Sequence, residues 1–151
     1  MDEEVDNSVQ MQLVKKQHVF SQLTDKETEE LASLFAEKKV AAGEVIVKEG
    51  DLVDSIYLIA NGTADVRHVT IKDNAPVVTS VAIMSAGEAI GLNETGFYSI
   101  SGRRTATVVA LTDMVLYRLS VAAFNGFALS HTHVSDVMHK HAADAFKDEQ
   151  S

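Results

Sequence analysis

The chain has 151 residues, of which 46% are hydrophobic and 23% charged, with one proline and no cysteine. That length and balance fit one globular domain over residues 1–151 and exclude a disordered, collagen-like or low-complexity chain. The missing cysteines exclude disulfides, thiolate metal sites and cysteine nucleophiles, and the net charge of −9 opposes phosphate backbones and anionic membranes, so no nucleic acid is expected as partner.

Met1-Asp2-Glu3-Glu4-Val5-Asp6 is acidic and has neither the basic nor the apolar region of a secretory signal, so a cytoplasmic protein is expected. From Asn7 to Phe20 a helix is predicted, with Val9, Leu13 and Phe20 on its apolar face. Thr24-Asp25-Lys26-Glu27 has the spacing of a capping box, and Leu31, Leu34 and Phe35 follow at helical intervals, predicting a second helix to about Ala36. These two form an N-terminal helical part, residues 1–36.

From Val40 the pattern turns to short β-branched segments between Gly, Asn and Asp: Glu44–Lys48, Ser55–Ala60, Thr63–Ile71, Val77–Met84, Arg104–Leu111 and Met114–Leu119. Their number and spacing predict a sandwich or barrel over residues 37–119. The longest apolar runs, at 56–60, 81–84 and 108–111, fall far short of the about 20 residues that cross a bilayer, so no membrane insertion is expected. Pro76 lies in Asp73-Asn74-Ala75-Pro76, read as an exposed hairpin turn.

Two helices are predicted over residues 120–151. Ser120 caps the first, Val121 to Ser130, with Phe124, Phe127 and Ala128 on one face. The second starts near Thr132 and carries a stripe of Val134, Val137, Met138, His141, Ala142, Ala145 and Phe146. Only five residues follow Phe146, too few for a further domain.

Of six histidines, four crowd together as His131, His133, His139 and His141, but their close pairs lie two apart, whereas a metal pair on a helix needs four. No metal and no cofactor are expected. Ser55, Ser80, Ser85 and Ser120 lack an elbow motif or partner constellation, so no enzyme is expected.

The string Gly43-Glu44-Val45-Ile46-Val47-Lys48-Glu49-Gly50-Asp51, then Asp54-Ser55-Ile56-Tyr57-Leu58-Ile59-Ala60-Asn61-Gly62-Thr63-Ala64-Asp65-Val66, reads from the residues as three strands with glycine corners. As an ordered string it resembles the cyclic-nucleotide-binding domain family of catabolite-activator regulators, cAMP-dependent kinase regulatory subunits and cyclic-nucleotide-gated channels, over roughly Phe20 to Phe146. The resemblance implies a mainly β fold with flanking helices: a double-stranded β-helix, or jelly-roll barrel, with N-terminal helices and two C-terminal helices.

Residues 87–107, from Gly87-Glu88-Ala89-Ile90-Gly91-Leu92-Asn93-Glu94-Thr95-Gly96-Phe97-Tyr98 to Gly102-Arg103-Arg104-Thr105-Ala106-Thr107, resemble the family's phosphate-binding cassette. The resemblance implies a ligand, cAMP or cGMP, held by Gly91, Asn93, Glu94, Thr95, Arg104, Thr105 and Ala106. Arg104 takes the phosphate, since an arginine fork suits phosphate oxygens, while Arg103 stays on the surface. A short helix beginning near Asn93 would point N–H groups at the same anion.

Glu94 is matched to the family's ribose-binding glutamate, whereas an alignment on Ile90-Gly91 puts Leu92 there. Phe146 is the candidate cap on the purine. The function implied is a cyclic-nucleotide receptor that signals through its C-terminal helix to an effector protein or a second copy. The departures at Leu92 and Asn93 leave open a domain of the same fold that takes no nucleotide and serves as an interaction or dimerisation module.

Overall fold

The computed structural model describes residues 8–93, 96–97 and 102–137. Two helices, α1 (Ser8–Lys16) and α2 (Asp25–Ser33), flank a 3-10 turn at His18–Phe20. The α1 face differs from the expected one: Val9 is exposed, and Val14 is buried beside Leu13. Gln17 ends the helix, its Nε2 donating to Leu13 O at 3.0 Å and to Gly87 O at 3.1 Å.

The capping box of α2 forms as predicted, with Glu27 N donating to Thr24 Oγ1 at 3.1 Å and Thr24 N to Glu27 Oε1 at 2.8 Å. The helix stops at Ser33, Leu34 is exposed, and Ala36 already opens strand β1 (Ala36–Val40). That strand, Ala-Glu-Lys-Lys-Val, buries only Val40. It is held by its ladder to a neighbour and not by an apolar face.

The remaining strands are β2 (Val45–Val47), β3 (Ser55–Asn61), β4 (Ala64–Lys72), β5 (Ala75–Met84), β6 (Ala89–Ile90), β7 (Leu92–Asn93), β8 (Gly96–Phe97), β9 (Thr107–Ala110) and β10 (Met114–Ser120). They form two four-stranded antiparallel sheets, β1-β10-β3-β6 and β2-β9-β4-β5, and a small β7-β8 pair. The fold is therefore a mainly β jelly roll made of two sheets, with helices flanking it.

The first sheet is covered on both faces, so Ser55, Ile56, Tyr57, Leu58 and Ile59 are all buried in succession. Ile56, Leu58, Tyr117 and Leu119 face the helices, while Tyr57, Ile59, Met114 and Leu116 face the space between the sheets. On the helical side Phe20 packs against Phe124, ring centroids 6.0 Å apart. Phe124 belongs to α3 (Val121–Ser130), which starts on Ser120, whose Oγ accepts from Ala123 N at 3.0 Å. Residues 132–137 are helical again and bury Val134 and Val137. Met138 to Phe146 lie outside the described residues.

The β4–β5 hairpin turns on Asp73 and Asn74, at φ 52° and 66°, the paired left-handed conformation that matches strand twist. Pro76 sits not in the turn but in β5, opposite Ile71. Lys72 and Ala75 close the turn as a hydrogen-bonded pair, so alternation along the ladder leaves the nitrogen of Pro76 on the outer edge. Among the described residues no further strand lies beyond β5 in its sheet, and such an edge is where a proline is tolerated.

Candidate anion-binding pocket

The segment before β9 is fixed by main-chain bonds to the loop after β2. Arg104 N donates to Asp51 O at 2.7 Å, Gly50 N to Arg104 O at 2.9 Å, and Val53 N to Gly102 O at 2.9 Å. Successive side chains of such extended backbone point opposite ways. Arg103 is exposed and donates to Gly50 O at 2.8 Å. Arg104 turns inward and is only 7% exposed.

The Arg104 guanidinium is half satisfied. Nη2 donates to Ser55 O at 2.8 Å and lies 3.8 Å from Asp54 Oδ1, a carboxylate 75% exposed. Nη1 is buried and has no hydrogen-bond partner among the described residues. Burial pulls the Arg104 pKa below its ordinary value; Tyr57 and Asp54 push it back up, and Arg118 lowers it further. A buried cation with a free donor is costly unless an anion meets it.

Nη1 points to Gly91. A Cβ built there would lie 2.6 Å from Nη1 and 3.2 Å from Ser55 O, and Gly91 has φ +87°. Only glycine meets both demands. Gly91 and Leu92 form one wall of a cavity of about 400 Å³; Arg103, Arg104, Thr105 and Ala106 form another, and Val47, Val66, Met84 and Val108 of the second sheet form its floor. Its size lies within the about 300–1,000 Å³ usual for small-molecule sites. It offers a mostly apolar bed beside one buried cationic donor.

The structure thus brings together Gly91, Arg104, Thr105 and Ala106 on one cavity. Asn93 lies in β7, in register with Gly96 of β8, and Leu92 with Phe97. No helix begins at Asn93, because this pairing makes residues 92–93 and 96–97 the two arms of a hairpin. Glu94, Thr95 and Phe146 lie outside the described residues. Sequence reasoning misses Asp51 and Ser55 because each contributes a main-chain carbonyl, which every residue type supplies.

His131 and His133 are not free ligands: each faces a carboxylate of α2, Glu30 and Glu27. Among the described residues no helix is long and apolar enough to cross a membrane.

The fold is thus a two-sheet jelly roll with a cavity that ends on a buried arginine. The match to the family model described as cyclic nucleotide-binding domain, over residues 37–131, gives the particular assignment: the chain belongs to that family. Among curated proteins it is 33% identical over 114 residues to the cAMP-dependent protein kinase regulatory subunit of Blastocladiella emersonii, covering 76% of this chain and 27% of that protein. It thus spans about a quarter of that relative's length.

Among solved structures, the N-terminal domain of a transcriptional regulator from Streptomyces coelicolor superposes with a TM-score of 0.76 at 22% identity, over 91% of this chain and 92% of that one. The regulatory domain of Toxoplasma gondii PKA, crystallised with cAMP, gives 0.68 at 20% identity, over 84% and 46%.

Proposed function

We propose that the chain is a non-catalytic receptor for a cyclic nucleotide, cAMP or cGMP, with residues 87–107 as its phosphate-binding cassette. The observation that carries this reading is Arg104 Nη1, buried without a partner against Gly91 at the edge of a 400 Å³ cavity. In the bound state Nη1 donates to an oxygen of the cyclic phosphate, while Gly91, Asn93, Thr95, Thr105 and Ala106 surround the same group. Glu94 accepts from the ribose hydroxyl, and Phe146 stacks on the base. The apolar floor takes the planar body of the ligand.

The output of this receptor is carried by the C-terminal helix to an effector protein or a second copy. Such a relay requires the ligand to bind the closed arrangement more tightly than the open one, and it moves the equilibrium only by that difference. Val121 N donates to Asp54 O at 2.9 Å, next to the Ser55 carbonyl that holds Arg104. The start of α3 therefore shares a loop with the proposed phosphate site.

A second reading, a domain of the same fold that takes no nucleotide and works as an interaction module, is favoured by Leu92, an apolar residue on the cavity wall. Calorimetric titration with both nucleotides separates the two. Saturable binding by the parent protein, weakened on the order of 100-fold in Arg104→Ala and far less in Arg103→Ala, supports the receptor. No heat with either nucleotide supports the interaction module.

A further inference from the structure

The end of α3 and the residues 131–137 that follow it rest on α2 through two imidazole–carboxylate contacts that bridge about a hundred positions of sequence. His131 Nε2 lies 2.5 Å from Glu30 Oε2, and His131 Nδ1 lies 2.8 Å from Phe127 O. A carboxylate and a carbonyl both accept, so each ring nitrogen must donate, and only the imidazolium carries both N–H groups. His133 Nδ1 sits 2.8 and 3.0 Å from the two oxygens of Glu27.

The same Glu27 closes the capping box at the start of α2. Around them, the His131 ring lies 4.4 Å from that of Phe127, and Ser135 Oγ donates to Ala128 O at 2.8 Å. The charged groups that act on His131 are Glu30 and Glu27, both from α2; α3 itself has no charged side chain.

We propose that His131 is a proton-operated latch: as the imidazolium it fastens the end of α3, and with it the 132–137 helix that follows, to α2, and on losing its proton it loosens that fastening. In the neutral ring one nitrogen becomes an acceptor. It then faces either the Phe127 carbonyl or the Glu30 carboxylate, lone pair to lone pair, so either the Glu30 contact opens or it persists without the charge of the imidazolium, and the tie to α2 weakens in both cases. Val134 and Val137, buried beyond the latch, remain as the apolar hold, so release loosens the segment without unfolding the sheets.

In sign, the carbonyl of Phe127 raises the His131 pKa, burial opposes it, and Glu30 and Glu27 raise it further, for a net rise above 6.5. The latch is closed below the ordinary histidine range and opens as pH rises through the elevated value. Glu27 moves the other way. Burial raises its pKa, but the Thr24 backbone N–H and His133 more than offset this, so it stays ionised below its usual 4.5. The latch does not depend on the nucleotide reading of the cavity.

The test is hydrogen exchange of the full chain without nucleotide, from pH 5.5 to 9, corrected for intrinsic exchange, beside an NMR titration of the His131 ring. The expected result is a fall of about two- to fivefold in protection of residues 134–137, the scale of a partly exposed ion pair. The fall follows the His131 titration, while the β3 and β10 amides stay unchanged. In Glu30→Gln the His131 midpoint moves down, and the loosening moves with it. Protection that stays flat across the titration, or a His131 midpoint unmoved by Glu30→Gln, overturns the latch.

Discussion

Gly91 and Arg104 occupy each other's space: the position of a Cβ at Gly91 is 2.6 Å from Arg104 Nη1, closer than any side chain can be accommodated. Gly91→Ala must therefore move the guanidinium or the strand, and it also places alanine at φ +87°. The left-handed backbone alone costs about 1–2 kcal/mol. Urea unfolding should show at least that loss, and nucleotide affinity should fall together with it. An alanine variant as stable as the parent would mean that the glycine is not held in this conformation.

Under the proposed receptor function, Leu92 on the cavity wall and Glu94 two residues on are the rival candidates to face the ribose. With Glu94 as acceptor, 2′-deoxy cyclic nucleotide loses about 1–3 kcal/mol against the parent protein and little against Glu94→Ala. Additive losses would place the hydroxyl against an acceptor other than Glu94, and no loss in the parent would leave it beside the apolar Leu92.

The capping box gives a prediction about acid stability. Thr24→Ala removes the acceptor for Glu27 N and should cost about 0.5–2 kcal/mol. Because the folded pKa of Glu27 is lowered below 4.5, its contribution is fully present above that value and disappears as pH falls through the depressed one. Urea midpoints measured from pH 7 to pH 3 should fall less steeply in Glu27→Gln than in the parent.

Phe20 is 1% exposed and touches Phe124 across the junction of the N-terminal turn and α3. Phe20→Ala should cost about 3–5 kcal/mol. The loss should appear as faster exchange in α3 before any change in β9. Equal loosening of β9 and α3 would show that the helices and sheets unfold as one unit.

Most of the fold was legible because its signals are local. Thr24 with Glu27, Ser120 before Val121, and the short apolar runs of strands 55–60 and 114–119 each announce their element within a few residues. Strand β1 was hidden because Glu37, Lys38 and Lys39 show no apolar alternation; the β10 ladder alone makes them a strand. Residues 92–93 pair with 96–97 where a helix starting near Asn93 was expected, because strand pairing, not propensity, decides so short a segment. In the site, Arg104 and Gly91 could be found by their chemistry, whereas Ser55 and Asp51 act through carbonyls and leave no trace in residue type. The spacing of the histidines speaks only to metal pairs among themselves. Their actual partners, Glu27 and Glu30, lie a hundred positions away.

The placement of Pro76 has a consequence for strand-to-strand association along the β5 edge. β5 carries ten residues without a charge, Ala75 to Met84, on the outer edge of its sheet. Such an edge is an open template for another strand, and lysine, proline or a bulge is the usual guard against it. Here lysine is absent, and the guards are the missing N–H of Pro76 at one end and the register break opposite Val66 and Arg67 at the other. Pro76→Thr would return a donor to the bare edge, and concentrated samples should then scatter more light with time than the parent. Colloidal solubility would thus hang on a residue that touches neither the cavity nor the core.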